Sequence, residues 1–217
     1  MVCKNNREKC TIFLFFHIFN LHVNYKICEI FDSIQGEGSW MGTPATFIRF
    51  AGCNLRCSWC DTKDSWDSEN VQELKIKEII SLINYPTVII TGGEPTLYDL
   101  EELILAIRHK FSQKRTVRIA IETNGTNKIP WDVDWIVCSP KPDYDYQILC
   151  NPDELKYVVD DNFSVDVILD RFIGKIPIWL QPNSEDLEKS MKKSYTMVMK
   201  HDFLRLGVQL HKIYHIK

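Results

Sequence analysis

No run in this sequence of 217 residues approaches the ~20 apolar residues that a membrane-spanning helix needs. Nor is there a basic surplus. With 26 Lys and Arg against 29 Asp and Glu the formal net charge is −3, which argues against an electrostatic grip on nucleic acid or anionic lipid, both of which require clustered positive charge. A second C-x-x-C pair, such as a zinc ribbon shows, is also missing. The 45% apolar and 25% charged fractions are those of an ordinary globular chain, and the length suits one domain, or a domain with a small appendage. These exclusions leave a soluble protein acting on a small molecule, with neither nucleic acid nor membrane as a partner.

The sequence does contain eight cysteines. An even number would suit disulfides, but a chain this long can bury a core without them. Three crowd into Cys53-Asn-Leu-Arg-Cys57-Ser-Trp-Cys60, and in a protein that is not secreted such crowding points to metal or redox chemistry. The N-terminus therefore bears on the compartment. Lys4, Arg7 and Lys9 precede an apolar stretch over 11–19, a signal-like opening, yet no small-residue cleavage site follows it. Residues 1–24 are accordingly expected to be an N-terminal extension, residues 25–217 the functional domain, and the location cytoplasmic.

From residue 25 onward, short β-branched runs alternate with helical periodicities. The strand-like runs are 45–51, 87–91, 117–122, 135–138, 155–159 and 176–180. Each is apolar nearly throughout, which is how a strand covered on both faces reads. Helices are predicted over 73–84, where Leu74, Ile76, Ile79, Ile80 and Ile83 fall near the helical period, and over 100–111, with further candidates at 162–172 and 185–206. Strand followed by helix, repeated, implies a parallel sheet with right-handed crossovers. A full eight-unit barrel takes ~250 residues. The expected fold is therefore α/β, an open, partial six-stranded barrel of the TIM type. Chemistry in such folds gathers at the C-terminal ends of the strands. Here those ends read Gly52-Cys53, Gly92-Gly93-Glu94-Pro95, Thr123-Asn124-Gly125, Ser139-Pro140-Lys141 and Gln181-Pro182-Asn183.

Spacings of four and three residues let Cys53, Cys57 and Cys60 converge from one loop as thiolate ligands of an iron–sulfur cluster. A four-iron cluster held by three thiolates keeps one iron open, the logic of a catalytic metal site. Structural zinc is the alternative, with Cys28, Cys138 or Cys150 as a fourth ligand; inert thiols are another. Gly92 and Gly93 allow a close approach to the backbone, whose carbonyls could accept from an ammonium group, or they form a plain turn. Asp61-Thr62 offers oxygen ligands to magnesium, or a helix cap. In Asp32-Ser-Ile-Gln-Gly-Glu-Gly38, Gln35 and Glu37 could recognise the edge of a heterocycle; composition alone makes the segment a surface loop. Arg49 interrupts an apolar strand and needs a partner, for which an anionic substrate is a candidate. Glu122, Lys141 and His211 read singly as paired or solvated charges.

Taken together these motifs resemble the radical S-adenosylmethionine (SAM) superfamily, through the C-x-x-x-C-x-x-C triplet and the later Gly-Gly-Glu-Pro. Ser33-Ile-Gln-Gly-Glu-Gly38, Arg49-Phe-Ala-Gly-Cys53, Cys60-Asp-Thr62, Glu122-Thr-Asn-Gly125, Ser139-Pro-Lys141 and Gln209-Leu-His-Lys212 are similar to the 7-carboxy-7-deazaguanine synthase family within it. The resemblance runs in order from about Tyr25 to Lys217 and makes 25–217 a radical SAM domain; residues 1–24 have no counterpart. It implies a 4Fe–4S cluster on Cys53, Cys57 and Cys60, reductive cleavage of SAM to a 5′-deoxyadenosyl radical, and hydrogen abstraction from 6-carboxy-5,6,7,8-tetrahydropterin. Ring contraction with loss of ammonia then gives 7-carboxy-7-deazaguanine, a precursor of queuosine and related deazapurines.

By the same resemblance Thr62 would ligate magnesium, while Ile34, Gln35, Gly36, Arg49, Thr91 and Lys217 would contact the pterin. Trp59, Cys60, Asp61, Gly93, Ser139, Pro140 and Lys141 would surround SAM, together with Gln181, Pro182, Asn183 and Ser184. An electron donor such as flavodoxin or ferredoxin and a homodimer are implied as well. The rivals are another radical SAM enzyme, such as a glycyl-radical activase that docks a partner protein, and a zinc-stabilised binding module without catalysis.

Overall fold

The runs that are apolar on both faces form the middle of one sheet in the computed structural model, which describes residues 23–66, 71–112 and 116–217. Residues 1–22, most of the expected extension, lie outside the described residues. The strands are β1 (Asn24–Ile34), β2 (Pro44–Phe50), β3 (Gln72–Lys75), β4 (Thr87–Gly92), β5 (Arg118–Thr123), β6 (Trp135–Cys138), β7 (Glu154–Val159), β8 (Ile178–Pro182) and β9 (Leu204–Leu206). Their spatial order is β3-β1-β2-β4-β5-β6-β7-β8-β9. From β2 to β9 every neighbouring pair is parallel, while β1 runs antiparallel to both β2 and β3. The sheet does not close, because β3 and β9 stand at its two ends. This is the open, partial barrel of the α/β class, with its six expected strands in place and three more around them.

Strand pleating sorts the side chains onto two faces. On β2, β4 and β5, Ile48, Phe50, Val88, Ile90, Ile119 and Ile121 point outward and pack with α1 (Ile76–Leu82) and α2 (Glu101–Phe111) through Ile76, Ile79, Leu103 and Ile107. The residues between them point inward. Ala45, Phe47, Ile89 and Ala120 make an apolar floor with Phe31, Trp40 and Trp135. One pleat further toward the C-terminal ends, the inward positions are Arg49, Thr91 and Glu122, and Arg49 lies opposite Thr91 in the β2–β4 register. A second apolar cluster, with Leu155, Tyr157, Ile178, Leu180 and Leu204, supports β7 to β9.

Three helix expectations are corrected. The segment 73–84 starts as strand: Gln72–Lys75 pairs with Asn24–Ile27 of β1, and α1 begins only at Ile76, where the Glu78 carboxylate accepts from the Lys75 N–H at 2.8 Å. Over 162–172 there are two short 3-10 turns, Val165–Val167 and Asp170–Phe172, and no α-helix. Two causes oppose a helix there. The Asp160 side chain captures the N–H groups of Asn162 and Phe163 at 3.0 and 2.8 Å, and Val165, Val167 and Ile168 are β-branched. Finally, the helix expected over 185–206 is α3 (Leu187–Val198), after which the chain turns into β9 beside β8. A last short helix, α4 (Leu210–Ile213), follows. Among the described residues no helix is long and apolar enough to cross a membrane.

Candidate active site

The inner face above the apolar floor is a cavity of about 270 Å³, just below the ~300 Å³ at which small-molecule sites usually begin. Cys53, Cys57 and Cys60 all line it. Their loop leaves β2 and is closed on itself by a Cys60 N–H to Cys57 carbonyl bond of 3.0 Å. Asn54 pins it to the end of β5, donating to Thr126 Oγ1 at 2.8 Å and accepting from Asn124 Nδ2 at 2.9 Å. Burial pushes the Cys53 thiol up, and burial followed by a hydrogen bond to Asp143 pushes Cys57 up to about 12. Without metal these are thiols, so cluster binding must expel their protons.

The donor set fits a cluster better than zinc. Cys138 and Cys150 are buried away from the cavity in the second apolar cluster and hydrogen-bond to each other. Cys28 is in β1 and does not line the cavity either. Among the described residues, therefore, no fourth thiol is at hand, and no three His, Cys, Asp or Glu side chains are grouped tightly enough to hold a single ion. Three thiols spread around a cavity wall suit a group several ångströms across with one corner left open.

Beside this loop the chain leaves β4 through Gly92 and Gly93. The close approach they permit is that of the chain to itself, which amends the expectation of a ligand against bare backbone. A Cβ on Gly92, whose φ is 142°, would sit 2.2 Å from the Phe50 carbonyl oxygen, and one on Gly93 would sit 2.2 Å from that of Gly52. The Gly93 and Glu94 N–H groups donate to the same two carbonyls at 3.0 and 2.8 Å. Glu94 then turns away from the cavity and is fully buried.

One half of the cavity is built on β1, β2, β4 and β5. Ile34, Gln35, Gly36, Arg49, Thr91 and Lys217 all line it. Glu122 organises them: Gln35 Nε2 donates to one of its oxygens at 2.9 Å and Thr91 Oγ1 to the other at 3.1 Å. Arg49 has an internal partner, Glu29, at 2.9 Å, so its charge does not depend on a ligand. Lys217 Nζ reaches the same carboxylate at 2.7 Å and lies over the Phe31 ring. Gly36 lies under α4: its carbonyl accepts from Leu210 N–H at 3.0 Å, and a Cβ there would meet His211 Nδ1 at 2.2 Å.

The other half is lined by Trp59, Asp61, Thr62, Gly93, Ser139, Lys141, Gln181, Pro182, Asn183 and Ser184. Pro140 is the one expected site residue that does not reach the cavity. Lys141 lies over the Trp59 ring at 5.2 Å and donates to Ser139 Oγ at 2.5 Å; burial and then the nearby Lys156 charge push its ammonium pKa down. Asp61 accepts from Lys212 Nζ at 2.6 Å and Gln209 Nε2 at 3.1 Å. Burial would raise its pKa, but Lys212 outweighs that and holds it well below the usual carboxylate range. Thr62 Oγ1 donates to Asp61 Oδ1 at 3.2 Å, so the two side-chain oxygens stand together on the cavity wall. Sequence reasoning passed over Lys156, which lines the cavity. The signal was present, since Lys156 interrupts an apolar strand just as Arg49 does.

Comparison with known proteins agrees with this geometry. The family model of the radical SAM superfamily matches residues 47–132. The 7-carboxy-7-deazaguanine synthase of Synechocystis is 34% identical over 88% of this chain and 93% of its own, and that of Bacteroides thetaiotaomicron is 38% identical over 88% of this chain and 98% of its own. The crystal structure of QueE from Escherichia coli superposes with a TM-score of 0.72 at 26% identity, covering 90% of this chain and 98% of that one. The chain belongs to the 7-carboxy-7-deazaguanine synthase family of radical SAM enzymes.

Proposed function

We propose that the protein converts 6-carboxy-5,6,7,8-tetrahydropterin to 7-carboxy-7-deazaguanine with loss of ammonia, in the biosynthesis of queuosine or a related deazapurine. The observation that carries this reading is the single cavity: the three-cysteine loop and the Gln35–Glu122–Thr91 array open into the same space. When bound on Cys53, Cys57 and Cys60, the 4Fe–4S cluster would supply the electron that cleaves SAM and starts radical chemistry.

The residues divide the remaining work. Lys141, held between Ser139 and the Trp59 ring, offers an ammonium to the SAM carboxylate. The backbone near Gly93 and the segment Gln181–Ser184 wall the rest of that molecule, and Asp61 stands beside the loop. Gln35 and Thr91, both held by Glu122, face the pterin, while Arg49 and Lys217 bring positive charge to the half of the cavity where the substrate carboxylate must be neutralised. The apolar floor of Phe47, Ile89 and Ala120 keeps water from beneath the reacting centre.

Thr62, beside Asp61, would hold magnesium, which would supply further positive charge to the cavity. Thr62→Ala is expected to slow turnover and to abolish its response to added magnesium; an unaltered magnesium titration would remove Thr62 from the metal site. Residues 25–217 carry the catalytic domain in this reading, with 1–24 an extension to it. A flavodoxin or ferredoxin would deliver the electron, and a homodimer is the expected assembly. The free state of the described cysteines supports a reducing, cytoplasmic location. The direct test is an anaerobic assay of reduced protein with SAM and the carboxytetrahydropterin. The deazapurine chromophore should appear; SAM cleavage without it would overturn the substrate assignment.

A further inference from the structure

Lys156 and Glu37 are charged groups of the cavity wall that the reading above leaves without a task, and Lys156 is the more deeply set of the two in the sheet. Lys156 sits in the middle of β7 between Leu155 and Tyr157, which are fully buried. Its own side chain is only 14% exposed and lines the cavity. An ammonium in such a place requires an anion. That anion is Glu37, beyond the end of β1, whose side chain is 13% exposed. Glu37 Oε2 takes the ion pair with Lys156, and Oε1 accepts from Gln209 Nε2 at 2.8 Å.

Other charges face this pair from every adjoining element. Asp61 does so from the cysteine loop, Glu122 from β5, and Lys141 from the segment after β6. From α4, His211 lies against Gly36 and Lys212 binds Asp61 at 2.6 Å. Glu154, also on β7, accepts from the Ser39 N–H at 2.9 Å. Burial by itself would favour a protonated Glu37; the Lys156 ammonium outweighs it and holds the carboxyl below its usual range. Burial would likewise strip Lys156 of its proton, and Glu37 and Glu122 outweigh that in turn.

An ionised carboxylate only accepts hydrogen bonds, whereas a carboxylic acid also donates one. The aminopyrimidinone edge of a pterin presents N–H donors, so a protonated Glu37 would set donor against donor. We propose that Lys156 is a positioning residue that fixes Glu37 as an acceptor-only carboxylate for the N–H edge of the pterin. This rests on the substrate assignment made above.

The test compares Lys156→Met, Lys156→Arg and the double variant Glu37→Gln with Lys156→Met, each as anaerobically reconstituted holoenzyme, by equilibrium binding of the carboxytetrahydropterin and separately of SAM. Lys156→Met should weaken pterin binding about tenfold or more, the scale of a charge-assisted contact, with SAM affinity and iron content as in the wild type. The loss should deepen as pH falls. Glu37 without its cation has a raised pKa, so its acceptor form survives above that value and disappears as pH drops through it. Lys156→Arg should restore binding. The double variant, which buries no unpaired charge and so guards against a folding failure, should bind weakly but with no acidic limb.

A merely structural lysine would weaken both ligands together with no pH-dependent part. That outcome, or an acidic limb that persists in the double variant, overturns the proposal. Because binding is read apart from turnover, wild-type enzyme whose pterin binding depends on Lys156 as described yet forms no deazapurine would refute the reaction and leave this role standing.

Discussion

Cys57→Ala is expected to yield a folded chain that assembles no complete cluster and cleaves no SAM. Cys57 is the most enclosed of the three loop thiols, with 6% exposure, so no solvent ligand can readily stand in for its sulfur. Removing one of three thiolates leaves a second iron without a protein ligand, and a cluster with two open corners is readily lost. The loop itself should persist, since its anchors are the Asn54 bonds to Thr126 and Asn124 and the Cys60–Cys57 backbone bond. Iron and sulfide analysis of the anaerobically reconstituted variant, with thermal unfolding of the metal-free chain, separates lost ligation from lost fold. Cys150→Ala is the matched control, because Cys150 meets Cys138 and not the cavity, and it should retain the full iron content. Full SAM cleavage by Cys57→Ala would refute the ligand assignment.

Glu94→Ala should be the most destabilising single change near the site, although Glu94 touches no ligand-facing surface. Its carboxylate accepts four hydrogen bonds: from Thr96 N–H at 3.0 Å, Thr96 Oγ1 at 2.5 Å, Thr123 Oγ1 at 2.8 Å and Asn124 N–H at 2.6 Å. Burial pushes the carboxyl pKa up while those donors pull against it. The side chain therefore clamps the exit of β4 to the exit of β5, and Asn124 passes the restraint on to Asn54 in the cysteine loop. Truncation would leave the Asn124 N–H and the Thr123 hydroxyl buried without their acceptor. At about 1–3 kcal/mol for each orphaned group, a loss of roughly 3 kcal/mol or more is expected. For a chain of this size that lowers Tm by about 6–12 °C. Calorimetry of the metal-free protein checks this, and faster cluster loss from the reconstituted variant should accompany it. An unchanged Tm would show that the clamp carries no stability.

The strands were legible where burial on two faces left a continuous apolar signature, as in Val88-Ile-Ile90 and Ile119-Ala-Ile121. β1 was not, because an antiparallel strand flanked by β3 along only its first four residues mixes polar and apolar positions: Asp32 and Ser33 have the composition of a loop, whereas they pair with Thr46 and Ala45 of β2. β9 was hidden inside a helical expectation, since three residues carry too little pattern to announce a strand whose existence depends on β8. The cysteine triplet could be read because local spacing alone determines whether three sulfurs can converge. Lys156 and Glu37 belong to segments far apart in the chain, so only the folded sheet reveals them as a pair. The tandem glycines carried a true signal of close approach, but what approaches is the backbone of Phe50 and Gly52.

The most direct measurement is electron paramagnetic resonance of the reconstituted, chemically reduced protein before and after addition of SAM, with iron and sulfide analysis of the same sample. About four iron and four sulfide per chain are expected, with a reduced-cluster signal whose shape changes when SAM occupies the open iron. A spectrum indifferent to SAM, or protein that loads a single zinc and no cluster, would contradict the assignment of Cys53, Cys57 and Cys60 as a three-thiolate site with one iron left free.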